Sequence, residues 1–345
     1  KLPRGLSYIA KEALKRKVDF GIWLEPEMVN PQSELYQKHP DWIITQPKRT
    51  PILGRHQEIL DLTRPEVQAF EWQVIDKTLR PNPDISYVKW DCNRYITQPG
   101  SGYLQPAEQS HLWIDYNWAL YRLMERFSKE FPNVMAMLCA GGSGRVDYGA
   151  LPYFHSFWPS DNTDPLGRIK IQWGFSHFFP ASTISAHVTR MGKRHLKLAI
   201  DVALSGAFGI DLALDKATAE ERVQIADAVK LYKASIRPLV MQGELYRLVS
   251  PYEHPMASLS YVSTDKNDAV VYLYQIQDGS VPQVILGGLD ARKNYRVEEV
   301  GLPKGSTSRF PGHGKIFSGA ELMSTGIANP LNAQFESAIL LLKTQ

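Results

Sequence analysis

Residues 85–93 read Ile-Ser-Tyr-Val-Lys-Trp-Asp-Cys-Asn, an apolar run that ends in charged and polar side chains. Alternate side chains of a β-strand share a face. This rule places four polar side chains together: Tyr87, Lys89, Asp91 and Asn93. A lysine and an aspartate are costly at the end of an apolar strand unless they meet a polar partner or solvent. The stretch alone supports two interpretations equally, a ligand site at a strand end and an internal Lys–Asp ion pair.

Outward from this strand, short apolar runs alternate with helical patterns from residue 6 to about residue 235. The predicted strands are Val18–Leu24, Ile85–Trp90, Val134–Cys139, Phe154–Trp158 and Phe208–Leu212, with a further one ending near Pro180. The predicted helices are Pro65–Leu79, Trp113–Phe131, Leu196–Ser205 and Glu220–Ile236, whereas residues 169–179 carry mixed signals. This alternation indicates a parallel sheet with helices outside it. A barrel suits the long connections better than a doubly wound sheet, and the pattern leaves both open.

The character of the sequence changes near Pro238. Beyond Gly243, short β-rich runs follow one another between turn residues: Ala269–Gln275, Val281–Leu286, Tyr295–Val300 and Ala338–Leu342. Such spacing predicts an antiparallel β-sandwich. We therefore expect an α/β domain over residues 1–240 and a β-sandwich over residues 241–345.

Composition narrows the function classes. The 345 residues are 43% hydrophobic and 22% charged, with a net charge of +3 and no basic run, so nucleic-acid binding is not expected. No apolar run approaches the ~18 residues of a membrane helix. The two cysteines, Cys92 and Cys139, and the scattered histidines have no metal-ligand spacing. We expect no signal peptide and no association with a membrane, and the compartment stays open.

Three other strand ends also deliver polar residues. The run 157–165 leads into Asp161, for which a turn or helix cap is the simpler interpretation. Trp23 is followed at alternate positions by Glu25 and Glu27, which suit either a site or a solvated loop. The Gly-rich loop 139–145 fits no dinucleotide, phosphate or serine-hydrolase motif. Two strand ends carry an aspartate, and two carboxylates facing one pocket are typical of glycoside hydrolysis.

Five ordered motifs resemble those of α-galactosidases of glycoside hydrolase family 36. They are GIWLEPEMVNPQSELYQKHPDW at 21–42, GRHQEILDLTRPEV at 54–67, YVKWDCN at 87–93, CAGGSGR at 139–145 and WPSDNTDPLGRIKIQWG at 158–174. The resemblance covers about residues 1–245, and the β-rich tail is similar to the family's C-terminal sandwich. It implies a (β/α)8 barrel of the TIM type.

The resemblance implies a retaining mechanism with Asp91 as nucleophile and Asp161 as general acid/base. Lys89 on the Asp91 face would hold that carboxylate ionised, and the aromatic strand end before Asp161 would favour its protonated form. In a retaining site the two carboxyl groups are expected ~5 Å apart.

By the same resemblance, further residues are expected to line the galactose pocket. Trp23 is a predicted wall, while Arg55 and Lys89 are predicted donors to sugar hydroxyls. Cys139 and Gly142 are expected on the C2 side, where room for a hydroxyl or an acetamido group is decided. Asn93 and Trp158 complete the expected sugar contacts. No metal or organic cofactor is implied.

The sequence departs from the family in its opening part. It lacks the Asp-Asp-Gly-Trp motif of the second barrel strand and supplies strands three to eight by our count. We therefore expect a barrel without its first two strands in this chain, completed by an N-terminal part of the same enzyme, covalently joined or associated. The family often forms tetramers, so a homo-oligomer is expected.

The expected substrates are terminal α-D-galactosides of the melibiose and raffinose type. Within the family, an α-N-acetylgalactosaminidase and a galactosyltransferase of the raffinose-synthase kind remain alternatives. A non-catalytic sugar-binding fragment is the alternative from another class.

Overall fold

The computed structural model describes residues 2–279 and 281–345. The chain divides into two compact units, Lys1–Trp158 and Pro159–Gln345. Each unit is described by itself below.

The first unit is built around a parallel sheet. Its strands are β1 (Phe20–Leu24), β2 (Met28–Val29), β3 (Glu58–Ile59), β4 (Ile85–Trp90), β5 (Met135–Leu138) and β6 (Ser156–Phe157). Its α-helices are α1 (Gly5–Lys15), α2 (Glu34–Lys38), α3 (Pro65–Leu79) and α4 (Leu112–Glu130). Four strands pair in the order β1-β4-β5-β6, whereas β2 and β3 form a separate antiparallel pair. The predicted parallel arrangement of the strand containing Lys89 is confirmed.

One face of this sheet is apolar, and the strand residues on it are buried against helices. Trp90 is fully buried, and its ring contacts Phe127 of α4 edge-on at a centroid distance of 5.9 Å. Helix α4 presents a regular buried stripe to the sheet: Leu112, Tyr116, Ala119, Leu120, Leu123, Met124 and Phe127. These residues recur every three or four positions, as an amphipathic helix requires. The opposite face of β4 is thereby left to Lys89 and Asp91.

The second unit contains two kinds of sheet. Its helices are α5 (Pro165–Phe175), α6 (Leu196–Ala203), α7 (Ala219–Leu231), α8 (Arg237–Gln242) and α9 (Gly319–Ser324). Its strands are β7 (Ser185–Val188), β8 (Ala207–Ile210), β9 (Glu244–Val249), β10 (Met256–Val262), β11 (Asp268–Gln275), β12 (Gln283–Val284), β13 (Asn294–Val300), β14 (Ile316–Ser318), β15 (Ile327–Ala328) and β16 (Ser337–Thr344). Strands β7 and β8 form a parallel pair, and six later strands form one antiparallel sheet.

The prediction of a strand that ends near Pro180 is wrong. Helix α5 occupies Pro165–Phe175, and the next strand is Ser185–Val188. Pro165 stands at the first helical position, where its fixed φ and missing N–H favour helix initiation. Arg168, Ile169, Gln172 and Trp173 are buried on one side of this helix, so tertiary burial selects the helical period.

The antiparallel sheet has the strand order β14-β13-β16-β11-β10-β9 and is covered on both faces. Against one face pack helices α6, α7 and α8, through a shared apolar cluster. Three tyrosines of that face bond to carbonyls at the end of α6: Tyr261 to Ser205, Tyr272 to Leu204 and Tyr274 to Asp201. They satisfy carbonyl groups that a helix end leaves unpaired.

The other face of this sheet packs on β12, β15 and α9 through a second apolar cluster. The prediction that the C-terminal part of the chain forms an antiparallel sheet is therefore confirmed. A sandwich of two sheets was expected, however, and helices cover most of one face of this sheet. Strands β9 and β10 were not predicted. In β10 small hydroxyl side chains dilute the β-rich signal, namely Ser258 and Ser260, which are buried in the sheet.

The parallel strands of the described residues form a four-stranded sheet and a two-stranded sheet, without a closed barrel among them. In the part of the chain that the structure describes, no helix combines the length and the apolar character needed to cross a membrane.

Candidate active site

The carboxyl ends of the four parallel strands lie at one edge of the first sheet. Trp23 is in register with Lys89, and Lys89 with Met137. The ladder continues one residue beyond the strands, because the backbone N–H of Asp91 donates to Leu24 O at 2.9 Å. The N–H of Cys139 likewise donates to Trp90 O, and that of Trp158 to Leu138 O. Asp91, Cys139 and Trp158 therefore follow neighbouring strands at the same level, at the edge where parallel α/β folds place their sites.

Asp91 is a nearly buried carboxylate held by specific donors. Only 3% of it is exposed, and its Oδ2 accepts a hydrogen bond of 3.0 Å from Trp23 Nε1. Its Oδ1 accepts a bond of 2.9 Å from the backbone N–H of Cys92. One donor on each oxygen thus fixes the orientation of the carboxylate.

The surroundings of Asp91 favour its charged form. Burial by itself raises the pKa of Asp91, whereas hydrogen bonds from Trp23 and Asn93 lower it. A hydrogen bond from Cys139 and the positive charge of Lys89 lower the pKa further, so that it lies below the ordinary value of an aspartate. A buried carboxylate that stays ionised is suited to act as a nucleophile.

Lys89 lies on the same face as Asp91, two residues earlier on β4. Its Nζ stands 5.1 Å from the centroid of the Trp158 ring, which is a cation–π contact. Among the described residues Lys89 and Asp91 form no ion pair, and Lys89 acts on Asp91 through its charge alone, so the alternative of an internal Lys–Asp pair is not supported. The ammonium acts on Asp91 at longer range.

Trp23 is half-exposed on β1, with 51% of its surface accessible. Its indole N–H is bound to Asp91 while the ring stays open. An open aromatic face offers a surface on which a sugar ring can stack, and here it lies next to a buried carboxylate. Its assignment as a wall of the pocket stays a prediction.

Cys139 is a buried thiol, 1% exposed, in contact with Met137 and Trp158. Burial raises the pKa of Cys139 to about 11, so the thiol is protonated at neutral pH and is not a nucleophile. The loop that follows turns sharply at Gly141 and Gly142, whose φ angles are 58° and 96°. Both angles favour glycine, and they allow Gly142 O to accept the N–H of Ala140 at 2.8 Å.

A buried network behind β4 was missed by sequence reasoning. Glu27 is fully buried and accepts hydrogen bonds from Trp90 Nε1 at 2.9 Å and from the Tyr116 hydroxyl at 2.8 Å. It also forms an ion pair with Arg145, whose guanidinium donates to Cys139 O at 3.2 Å. The network ties the loop after β1 to the loop after β5. The signal available in the sequence was a glutamate in an otherwise buried run, which requires a partner.

Glu71 of α3 is a second buried carboxyl group near this network. It is fully buried, and neither of its oxygens has a hydrogen-bond partner among the described residues. Burial, and next the nearby charge of Glu27, raise the pKa of Glu71 well above its ordinary value. The environment of Glu71 therefore favours its protonated form.

Arg55 lies at the tip of a tight turn. Gly54 and Gln57 exchange two backbone hydrogen bonds, and Arg55 and His56 between them have φ angles of 53° and 60°. This is the φ pattern of a type I′ turn, which is strained for residues other than glycine and asparagine. Arg55 is exposed at this position.

Glu25 links the turn of Arg55 to the end of β4. Its Oε2 accepts a hydrogen bond of 2.7 Å from Gln57 Nε2. Its Oε1 accepts bonds from the backbone N–H of Asn93 at 3.0 Å and from Asn93 Nδ2 at 2.8 Å. The Asn93 amide is thus engaged by Glu25, and its expected contact with sugar stays a prediction.

Asp161 belongs to the second unit and is exposed there. Its neighbours are fixed by local contacts: Asn162 N donates to Ser160 Oγ at 3.0 Å, and Asp164 N to Asn162 Oδ1 at 3.1 Å. Gly192 packs closely against this loop, since a Cβ at this position would lie 2.2 Å from Asp164 Oδ1. The predicted approach of Asp161 to Asp91 stays a prediction.

The first unit thus brings together seven of the nine predicted site residues at or beside one sheet edge: Trp23, Lys89, Asp91, Asn93, Cys139, Gly142 and Trp158. Arg55 is linked to them through Glu25. Within residues 2–279 and 281–345, no group of three or more histidine, cysteine and acidic side chains is arranged to hold a metal ion.

Comparison with known protein families assigns both parts of the chain. The sequence profile of the family named Melibiase matches residues 1–243. The chain belongs to the melibiase family. The profile of the glycosyl hydrolase family 36 C-terminal domain matches residues 256–342 of this melibiase-family chain. The resemblance to glycoside hydrolase family 36 is confirmed.

Individual relatives agree with this assignment. Alpha-galactosidase AgaA of Geobacillus stearothermophilus is 39% identical over 339 residues, which are 96% of this chain and 44% of that protein. The crystal structure of GH36 alpha-galactosidase AgaB from the same organism has a TM-score of 0.91 at 38% identity and covers 100% of this chain and 47% of its own. A crystal structure of an AgaA variant in complex with raffinose has a TM-score of 0.90 at 36% identity, covering 99% and 47%. The chain spans less than half the length of these relatives.

Proposed function

We propose that the protein is a retaining α-galactosidase that hydrolyses terminal α-D-galactosyl groups of oligosaccharides of the melibiose and raffinose type. One observation carries the proposal. A nearly buried aspartate, Asp91, is kept ionised at a strand end and is hydrogen-bonded to a half-exposed tryptophan, Trp23. The relatives named as alpha-galactosidases, one of them bound to raffinose, support the same substrate class.

In the proposed reaction, Asp91 attacks the anomeric carbon while the bond to the departing oxygen breaks. Asp161 donates its proton to that oxygen, which leaves as an alcohol. Water then attacks the anomeric carbon of the galactosyl ester, the bond from that carbon to Asp91 breaks, and the proton that water loses passes to Asp161. Two inversions at the anomeric carbon give net retention. The two carboxyl groups then need to lie ~5 Å apart across the sugar.

The pocket contacts follow from the groups available beside Asp91. The open ring of Trp23 offers a stacking surface, and the Lys89 ammonium offers donors to sugar hydroxyls. Arg55 supplies a second cation at the tip of its turn, which Glu25 ties to Asn93 through Gln57. Trp158 lines the side of the pocket opposite Trp23, and Gly142 lets the backbone approach the sugar.

Cys139 supports galactose over N-acetylgalactosamine. Its side chain is buried beside Asp91 and contacts Met137 and Trp158, so the space near C2 of a bound sugar is filled. An acetamido group needs room that this packing withholds.

The finer architecture belongs to the same proposal. Residues 1–240 supply six strands of an eight-stranded barrel, and residues 241–345 form the C-terminal domain. The superposition on the relatives of family 36 supports this arrangement. A homo-oligomer, and a partner segment of the same enzyme that completes the barrel, are included in the proposal.

The test replaces Asp91 by glycine in the full-length protein and supplies azide. Turnover of an activated aryl α-galactoside should fall by at least about a thousandfold, and azide should restore part of it with formation of β-galactosyl azide. Near-normal activity of Asp91→Gly without azide would contradict the nucleophile assignment. Asp19→Gly, at an exposed aspartate before β1, is the matched control and should leave turnover unchanged. Sugar binding without any turnover by the unsubstituted protein would favour the non-catalytic alternative.

A further inference from the structure

Arg168 is a buried arginine of α5, 2% exposed, that reaches the loop carrying Asp161. Its Nη1 donates a hydrogen bond of 3.1 Å to the backbone carbonyl of Ser160. Its Nη2 donates to the carbonyl of Ser185, at the start of β7. Its Nε donates to Gln172 Oε1 at 3.2 Å, within the same helix. One side chain therefore joins the loop before Asp161 to the next strand.

Guanidinium chemistry explains why an arginine stands here. Its planar fork of N–H groups spans two carbonyl oxygens at once, which the single ammonium of a lysine cannot reproduce. Burial lowers the pKa of Arg168 to about 10, so the group remains charged at neutral pH although it lies in the interior. A buried charge is costly to maintain, and its hydrogen bonds to carbonyls offset that cost.

The loop around Asp161 is fixed from both sides. On the N-terminal side Arg168 holds the carbonyl of Ser160, the residue directly before Asp161. On the C-terminal side the Thr163 hydroxyl contacts the Thr189 hydroxyl at 2.8 Å, and Thr163 N donates to Met191 Sδ. The backbone of Asp161 is thereby held between two anchors, of which Arg168 is the buried and charged one.

We propose that Arg168 is a positioning residue for Asp161: by holding the Ser160 carbonyl it fixes where the Asp161 carboxyl delivers its proton to the departing oxygen. The inference rests on the proposed function, because it assumes that Asp161 is the general acid. It goes beyond that function because it assigns the placement of the acid to a residue that does not touch substrate. A merely structural Arg168 would instead fasten α5 to β7 with no bearing on proton donation.

Leaving-group dependence separates the two roles. The alcohol departing from raffinose needs a proton, whereas 4-nitrophenolate leaves with little help. The kcat/KM values report the step in which the bond between the anomeric carbon and the departing oxygen breaks. A misplaced acid should therefore lower kcat/KM for raffinose far more than kcat/KM for 4-nitrophenyl α-galactoside.

The experiment measures kcat/KM of the full-length protein for both substrates in Arg168→Met, Arg168→Lys and Asp161→Ala. For Arg168→Met we expect a loss of about a hundredfold on raffinose and less than about fivefold on the aryl galactoside. Arg168→Lys should show the same selectivity with a smaller loss, and it serves as the measured variant if Arg168→Met does not fold. Arg222→Met, at an exposed arginine of α7 in the same unit, should change neither value.

Equal losses on both substrates for the Arg168 variants, or none, would overturn the inference while Asp161→Ala still shows the selective loss. Absence of a selective loss in Asp161→Ala itself would instead overturn the assignment of Asp161 in the proposed function. The two failures are therefore distinguishable.

Discussion

The indole Nε1 of Trp23 donates a hydrogen bond of 3.0 Å to Oδ2 of Asp91, across the neighbouring strands β1 and β4. The bond joins a half-exposed aromatic ring to a carboxylate that is 3% exposed. It stabilises the ionised form of Asp91 and at the same time fixes the ring beside it. The proposed pocket wall, Trp23, and the proposed nucleophile, Asp91, are therefore held together by a direct hydrogen bond.

Replacing Trp23 by phenylalanine should move the acidic limb of the pH profile of kcat/KM to higher pH. The bond from Trp23 lowers the pKa of Asp91, so its removal raises that pKa and protonates the nucleophile at a higher pH. The profile is measured with 4-nitrophenyl α-galactoside. Trp113→Phe, at an exposed ring of α4, should leave the limb in place. An unmoved limb in Trp23→Phe, or one at lower pH, contradicts this account of Asp91.

The ion pair of Glu27 and Arg145 should be important for stability. Arg145→Met leaves a carboxylate with no exposed surface and without its counter-charge, and should lower the free energy of unfolding by about 3 kcal/mol. Lys129→Met removes an exposed pair with Glu125 on α4 and should leave the free energy of unfolding nearly unchanged. Urea denaturation measures both. Equal, small losses would show that Glu27 is stabilised by Trp90 and Tyr116 alone.

Both cysteines should be unreactive in the folded protein. Burial raises the pKa of Cys92 to about 12 and that of Cys139 to about 11, so neither forms a thiolate at pH 8. Mass spectrometry after iodoacetamide treatment at pH 8 should show no adduct, and two adducts after denaturation in urea. Rapid modification of Cys139 without denaturation would mean that the C2 side of the pocket is open.

Cys139 should control discrimination at C2 of the sugar. Cys139→Gly removes the side chain that fills this space and should raise kcat/KM for an N-acetylgalactosaminide relative to the matched galactoside by about tenfold. Cys92→Ala, at the other buried thiol, provides the control and should leave the ratio unchanged. A ratio that does not change in Cys139→Gly would place the selectivity elsewhere in the pocket.

Local patterns predicted the elements that position the site. The alternation in residues 85–93 located β4 and its polar face, and the helical pattern of residues Pro65–Leu79 located α3. These features depend on neighbours within a few positions, which is the range that periodicity covers.

Contacts between distant residues escaped prediction. Glu27 and Arg145 are 118 positions apart, and no local pattern links them. The burial of Arg168 was not predicted because a charged side chain is usually solvated, whereas here the carbonyls of Ser160 and Ser185 bind its guanidinium in the interior. Strand β7 was misplaced for a related reason, since the burial of α5 against its neighbours decided a stretch with mixed signals.

Covalent trapping tests the central claim, that Asp91 is the nucleophile, most directly. The full-length protein is treated with 5-fluoro-α-D-galactosyl fluoride, digested, and sequenced by mass spectrometry. We predict a single fluorogalactosyl ester on the peptide that contains Asp91, at the Asp91 side chain. An ester on any other residue, Asp161 included, or an enzyme that turns over galactosides without forming the ester, would contradict the account.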